Sequence, residues 1–319
     1  MLIMRLDQGD PMPIHSDQHT QTPRIALAGV TGDLGARIGR ALIAQGARVN
    51  AIVRPDTAPE KLATLRAHGF DPIAVDMSDA AALRDAVRGS RCIVSALNGL
   101  EPVVIGVQQR LLDAAVAGGV GRFIPSDYCL DFKKTRPGEN RNLDLRRRFM
   151  ATLDAAPVRA TSIFNGAFVD MLAGQAPIIA PAIRRVVHFG DAGQALDFTS
   201  KDDVARFTAA AALDDTAPRI LRIAGDTVSP LDLARIMGEL TGKRYATLRA
   251  GGIGSLSALI ALVRTLSPAS EAPFPAWQGM QYLRDMMSGR GKLSPLDNDR
   301  YGQQPWTKAR DVLAETFVS

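Results

Sequence analysis

The stretch RIALAGVTGDLGARIGRALIAQG (residues 24–46) decides how the rest of the chain is read. Its first five residues form a short apolar run of the kind a buried strand makes. That run leads directly into Gly29-Val-Thr-Gly32-Asp-Leu-Gly35, a GxxGxxG pattern. Beyond it, Leu34, Ile38, Leu42 and Ile43 recur at helical spacing until Gly46. Glycine is needed where a backbone turns tightly and where it must approach a diphosphate with no Cβ in the way. The helix that follows offers unpaired N–H groups and a partial positive charge to such an anion. A glycine turn that only packs strand on helix is the competing reading, but the pattern sits at the first strand–helix junction, where it carries meaning. Gly29, Thr31, Gly32, Asp33, Leu34 and Gly35 are therefore expected to hold a dinucleotide.

Working outward, strand-like runs at 48–53, 72–75, 91–96, 122–124 and 158–164 alternate with helical patterns at 59–68, 79–87, 102–117 and 140–155. Short links between such units predict a parallel sheet with helices on both faces. The expected fold class is α/β, a Rossmann-type doubly wound parallel sheet. After Phe164 the rhythm degrades, and prolines at 177, 181, 218, 230, 268, 273 and 275 punctuate shorter elements. Helices at 202–213 and 230–240, with a strand at 219–223, predict a smaller, mostly helical C-terminal substrate lobe. The expected division is a mobile leader at 1–22, an NAD(P)-binding domain at 23–165, and the lobe at 166–319 with some segments returning to the sheet.

Composition narrows the classes. The 319 residues are 46% hydrophobic and 22% charged, enough to bury full cores and incompatible with overall disorder. The two cysteines, Cys92 and Cys129, make no disulfide framework and no zinc spacing, which suggests a reducing, cytoplasmic setting. With 38 basic and 33 acidic residues the net charge is +5, mild for this length. The longest apolar run, 253–263, is broken by Gly254, Ser255 and Ser257, and falls short of the roughly 18–20 residues of a membrane span. The polar, proline-containing start lacks the order of a signal peptide. No membrane association is expected.

The end of the second strand speaks to cofactor choice. Arg54 follows Val53 where an NAD site usually places an acid on the ribose 2′-OH, and an arginine there suits a 2′-phosphate. Lys61 on the next helix would close the other side. Two solvated surface charges are the bland alternative. Asp76 and Met77, after the third strand, would flank the adenine. The run Ser95-Ala96-Leu97-Asn98-Gly99, after the fourth, would border the cofactor from across the switch point.

Together, GVTGDLG, the Arg54…Lys61 pair, VSALNG (94–99), Gln108 in QQRLLDAAVAGGV and RFIPSDY (122–128) resemble the NmrA-like group of atypical short-chain dehydrogenases/reductases. That group includes the isoflavone and phenylcoumaran benzylic ether reductases. TSIFNGAF (161–168) and FTSKDDVARFTAAAALDD (198–215) sit where the family would have them, so the resemblance covers roughly residues 23–240. It implies a Rossmann domain, NADP(H) as cofactor, and a substrate cleft between that domain and a C-terminal lobe. Gln108, Pro125, Ser126, Phe164 and Asn165 would then border the nicotinamide end.

The chemistry departs from the family's pattern. No Tyr-xxx-Lys pair exists: Tyr128 is followed at the fourth place by Phe132, and Lys133 comes one residue late. On a helix one residue turns the side chain by about 100°. The reductase branch uses a lysine on the helix after strand five. Counting back from Thr161, that position is Arg146, a permanent cation that is a poor general acid or base. Arg146 would hold an oxyanion electrostatically, Tyr128 would donate the proton, and Ser126 would orient the substrate oxygen. Asp127 reads equally well as a cap.

The four histidines are scattered, and His15 with His19, though four apart, lie in the polar leader, so no metal site is expected. The run Arg141, Arg146, Arg147, Arg148 reads as a solvated helix face, and without interleaved aromatics it makes no case for nucleic acid. PFPAWQGMQYLRDMM (273–287) gathers Phe274, Trp277, Met280, Met286 and Met287 as lobe core or as a lid over the cleft. The expected function is an NADPH-dependent reductase of a small hydrophobic or aromatic substrate. A second reading is a non-catalytic NADP(H)-sensing regulator acting through a protein partner, which the missing Tyr-xxx-Lys would suit.

Overall fold

The computed structural model describes residues 22–174, 178–267 and 272–318. Six parallel strands form its central sheet: β1 (Arg24–Ala28), β2 (Arg48–Val53), β3 (Asp71–Ala74), β4 (Cys92–Ser95), β5 (Arg122–Ile124) and β6 (Arg159–Ala160). Their spatial order is 3-2-1-4-5-6, and every pairing is parallel. The order reverses beside β1, so the crevice for a ligand lies at the carboxyl ends of β1 and β4.

Alternation along β1 builds two cores. Ile25 and Leu27 face one side, with Ile38, Leu42, Val49 and Phe207, while Ala26 and Ala28 face the other, with Ile93, Leu111, Phe123 and Phe149. The crossover helices are α1 (Asp33–Ala44), α2 (Pro59–Ala67), α3 (Ala80–Val87), α4 (Gln108–Ala117) and α5 (Arg141–Ala155). Asp79 and Asn140 cap α3 and α5 by accepting from backbone N–H groups of the first turn. The helical pattern at 102–117 is in two parts, because Pro102–Val107 winds as a π-helix before α4 begins.

The run at 158–164 is not one strand. Thr161 interrupts it, and β7 (Ser162–Phe164) leaves the central sheet's register to pair with a later strand. Beyond it come β8 (Ala167–Phe168), β9 (Ile179–Ala180), β10 (Arg185–Phe189), β11 (Leu196–Thr199), α6 (Lys201–Leu213), β12 (Ile220–Arg222), β13 (Asp226–Val228), α7 (Pro230–Thr241), β14 (Ala246–Gly251), α8 (Ile253–Leu266), α9 (Ala276–Met287) and α10 (Ala309–Phe317). The C-terminal half thus carries two three-stranded sheets among its helices, β14-β10-β9 and β13-β11-β8. Most of these strands have only two to five residues, too short to show a period in the sequence. Ser229 and Asp232 start α7 with a reciprocal capping box behind Pro230.

Two of these late elements pack with parts of the first half, β12 in a separate two-stranded sheet with β7. β12 pairs in parallel with β7, and α6 packs along α1 through Val204, Phe207 and Ala211. A third core, around Phe132, Phe164, Phe198, Met237 and Met287, fills the C-terminal half. No helix among the described residues is long and apolar enough to cross a membrane.

Cys92 and Cys129 are free and buried, and burial pushes each thiol up to about 12. The thiolate is the reactive species. At pH 8 an aromatic disulfide reagent is therefore expected to leave both thiols of the native protein unmodified and to label both once the chain is denatured. Fast labelling of native protein would show that these cores open readily.

Candidate active site

The turn between β1 and α1 is built by missing side chains. Gly29 has a φ of +89°, and a Cβ there would lie 2.6 Å from the Ala96 carbonyl oxygen. A Cβ on Gly35 would lie 2.1 Å from the carbonyl oxygen of Gly29. Both glycines are demanded by the protein's own packing. Gly32 is not: its φ is −88°, and the nearest neighbour of a Cβ is 3.4 Å away. It is exposed, together with Thr31 and Asp33, and no side chain caps α1. Free first-turn N–H groups and an open approach over Gly32 form a cradle that suits an anion and that a Cβ would fill.

Ala96 donates its N–H to the Ala28 carbonyl at 2.9 Å, which brings the 96–98 turn alongside the cradle. Ala96 and Leu97 are half-buried there and Asn98 is exposed. On the other side, Ala28 is in register with Ile52, so Arg54 emerges one residue beyond the level of Gly29. Arg54 is largely exposed, with only Asp56 nearby at 3.4 Å, and Lys61 is exposed on α2. The Asp76 carboxylate accepts from the Ser78 N–H at 2.8 Å and its hydroxyl at 2.7 Å, which hold its pKa below the usual carboxylate range. Met77 packs half-buried against the core at the end of β3.

Gln108 acts through its neighbours. It is buried, donates to the Val104 carbonyl at 2.8 Å, and accepts from the Ser126 N–H at 2.9 Å. It therefore pins the turn after β5, where Pro125 and Ser126 sit. The Ser126 carbonyl accepts from Arg146 Nε at 3.1 Å, and Arg146 Nη1 donates to the Asn142 carbonyl at 3.1 Å. Arg146 is only 7% exposed and forms no ion pair with any carboxylate among the described residues. The titratable groups around it are the Tyr282 phenol, the Cys129 thiol and the Asp127 carboxyl. Burial raises the pKa of Asp127, against the 2.7 Å bond it accepts from Ser162 and the nearby guanidiniums of Arg146 and Arg219.

Tyr128 does not stand where a proton donor would. Its ring belongs to the core on the α1 and α6 side of the sheet, and its hydroxyl is buried beside Thr208. Burial raises that phenol's pKa well above its ordinary value. The phenol near Arg146 is Tyr282 of α9, half-buried beside Asn142, and desolvation raises its pKa. Sequence reading missed Tyr282 because it lies in the 273–287 segment, more than a hundred residues from α5. It lies one turn beyond Gln278, which donates to Asn140 at the start of α5, a contact that tertiary packing makes.

Phe164 ends β7 and Asn165 follows it. The Phe164 ring lies in the C-terminal core, its centroid 5.0 Å from that of Phe132, so only its backbone can face a ligand. Asn165 is fully buried, its N–H bonds the Cys129 carbonyl at 3.0 Å, and both polar atoms of its side chain lack any partner. A buried amide with four unmet hydrogen bonds fits a polar ligand group such as a carboxamide.

The basic run on α5 is not one solvated face. Arg147 pairs with Asp144 at 2.5 Å, Arg148 with Glu101 at 2.7 Å, Arg146 is buried, and Arg141 stacks on Trp277 at 4.6 Å. Lys134 donates to the carbonyls of Lys292 and Ser294, and Lys133 is exposed. His15 and His19 lie outside the described residues. No group of three His, Cys, Asp or Glu side chains among the described residues could hold a metal ion.

Residues 21–251 match the profile of the NmrA-like family. The chain belongs to that family. It is 28% identical over 246 residues to pinoresinol reductase 1 of Arabidopsis thaliana, spanning 71% of this chain and 77% of the relative. It is 30% identical over 241 residues to the isoflavone reductase homolog IRL of Zea mays, with the same coverage of each. The solved structure of AtPrR2 with NADP+ and (+)-pinoresinol superposes with a TM-score of 0.77 over 93% of this chain and 99% of that one, at 21% identity. Within the NmrA-like fold, the cradle, the Ser126 turn and Arg146 all lie at carboxyl ends of sheet strands or beside them.

The two kinds of glycine separate experimentally. Gly35→Ala is expected to cost about 3 kcal/mol or more, because its Cβ meets fixed backbone rather than a movable side chain. Gly32→Ala should leave the melting temperature within about 2 °C of wild type while weakening NADPH at least about tenfold. Equal effects of both changes on stability would mean that the Gly32 turn is a packing device only.

Proposed function

We propose that this NmrA-like protein is an NADPH-dependent reductase of a small aromatic or otherwise hydrophobic substrate. The observation that carries the reading is Arg146: a buried guanidinium without a carboxylate, fixed at the strand end that faces the ligand crevice. Such a charge is costly unless something anionic arrives beside it. The reductase names of the matched relatives support this reading over that of a non-catalytic sensor.

The residues present fit the cofactor. The Gly29–Gly35 turn would hold the diphosphate, Arg54 and Lys61 the 2′-phosphate, and Asn165 with the Pro125–Ser126 turn the nicotinamide end. Asp76 is turned partly onto Ser78, so Met77 is the better adenine contact of the two. When bound, NADPH supplies the hydride. Arg146 then steadies the negative charge that develops on the substrate oxygen, held in aim by the Ser126 and Asn142 carbonyls. Its own protons stay in place at any working pH. The Tyr282 phenol, its pKa raised by desolvation, is the group that gives the proton to that oxygen. Ser126 positions Arg146 and Gln108 positions Ser126. The substrate's apolar body would lie against the 273–287 segment.

Titrating Arg54→Ala with both nucleotides tests the cofactor assignment. A lost charge-assisted bond should cost about 1.5–3 kcal/mol for NADPH, roughly tenfold to over a hundredfold in affinity, and leave NADH unchanged. A variant that keeps the wild-type preference would sink it.

Turnover, followed as NADPH oxidation with pinoresinol or a simple quinone as probe, tests the chemistry. Arg146→Ala should lower kcat about 10²–10³-fold, and Tyr282→Phe about 10²–10⁴-fold, with NADPH affinity unchanged. Arg146→Lys, which restores the residue type of the reductase branch, should retain or gain activity. Tyr128→Phe should leave kcat within about threefold, since its hydroxyl is core. Loss of turnover with Tyr128→Phe but not with Tyr282→Phe would reverse the assignment.

A further inference from the structure

Asp33 is an awkward residue for the place it holds. It sits in the first turn of α1, at the mouth of the cradle, where its carboxylate opposes any incoming diphosphate. Two cations reach it. Arg37, one turn along the same helix, donates from Nε at 2.8 Å and is tied by Nη1 to Asp202. Lys201 comes from the other half of the chain, its Nζ 2.8 Å from Asp33 and 3.5 Å from Asp170. The Phe168 ring lies 6.0 Å from the same ammonium. Together these contacts depress the Asp33 pKa and raise that of Lys201.

Lys201 is equally out of place by the rules of its own helix. It occupies the first position of α6, behind the Ser200 cap, where the helix dipole disfavours a cation and where Asp202 and Asp203 follow. Helix stability does not explain it, and its position against Asp33 does. We infer that Lys201 is a cofactor-positioning residue of the diphosphate site, supplied by the C-terminal half: it neutralises Asp33 and shares its ammonium with the diphosphate. Arg37 is less suited to this, since its Nε is held by Asp33 and its Nη1 by Asp202. A long, flexible lysine between Asp33 and Asp170 keeps three anions apart at once. It also makes cofactor binding depend on the docking of α6 and of the 169–173 turn, which carries Asp170, against the β1–α1 turn.

The inference rests on the cofactor reading above, and its test separates the two. Dissociation constants for NADPH and for 2′-AMP, which lacks a diphosphate, are measured on wild type, Lys201→Met, Lys201→Arg, Asp33→Asn and the Asp33→Asn/Lys201→Met pair. Lys201→Met should weaken NADPH about tenfold or more and leave 2′-AMP within about twofold. Lys201→Arg should stay within about threefold of wild type, and Asp33→Asn should restore much of the affinity lost in Lys201→Met, as coupled charges require. NADPH affinity unchanged in Lys201→Met overturns the inference and spares the cofactor reading. Equal weakening of NADPH and 2′-AMP also overturns it, by showing a general disturbance of the fold. Wild-type protein that binds neither nucleotide overturns both.

Discussion

A Cβ on Gly35 would lie 2.1 Å from the Gly29 carbonyl oxygen, and much else depends on the absence of that atom. With no Cβ between them, α1 can start directly beneath the end of β1 and run back along the sheet. That path presents Ile38 and Leu42 to one core and offers a long face to α6. The same geometry leaves the first turn of α1 open to solvent with its N–H groups unspent. Packing and ligand capture thus come from one constraint. A side chain at Gly29 or Gly35 would strain this packing, whereas the space around Gly32 would admit one.

A second chain of contacts carries order from the sheet to the chemistry. Gln108 leaves the π-helical turn at 102–107, fixes the Ser126 N–H, and so fixes the Ser126 carbonyl that aims Arg146. π-helical turns are uncommon and recur at functional sites, because they shift a side chain's direction partway along a helix. Here the shift directs an amide inward, under the end of β5. Asn142 extends the chain to the lobe. Its carbonyl accepts from Arg146, its side chain meets Tyr282, and its amide donates to the Pro273 carbonyl at 2.8 Å. The site is therefore complete only when α9 docks on α5.

What the sequence disclosed follows from the range of the forces involved. The central strands and α1 to α5 were legible because each is local, apolar on a fixed period and punctuated by glycine, proline or a capping side chain. The cradle was legible because it lies at a junction of two such elements. The split of the sixth strand at Thr161 was not, since a change of pairing partner leaves no local mark. The short strands between Phe168 and Val228 fall below any measurable period. Tyr128 was misread for a related reason: it lies two residues beyond Ser126 in a segment of no regular period, so packing alone decides which side of the sheet its ring enters. Tyr282 could be found only by knowing that α9 lies on α5, which tertiary packing decides.

Arginine at position 146 is more than a conservative exchange for lysine. A lysine in that place would combine two functions in one group, since its ammonium is both a charge and, when its pKa falls on burial, a proton carrier. A guanidinium keeps only the first. Its planar fork accounts for two protein carbonyls at once, which is how a buried cation without a carboxylate is held in a fixed direction. Fixed direction strengthens electrostatic stabilisation, because no reorganisation is needed as charge develops. The proton must then come from a separate group whose own pKa lies far above neutrality. In the proposed mechanism the half-buried Tyr282 phenol beside that cation would meet the requirement: desolvation raises its pKa, and the guanidinium would favour the phenolate it becomes after transfer. On that proposal, division of the two functions between α5 and α9 would make the reaction conditional on lobe docking, which a single lysine on α5 would not require.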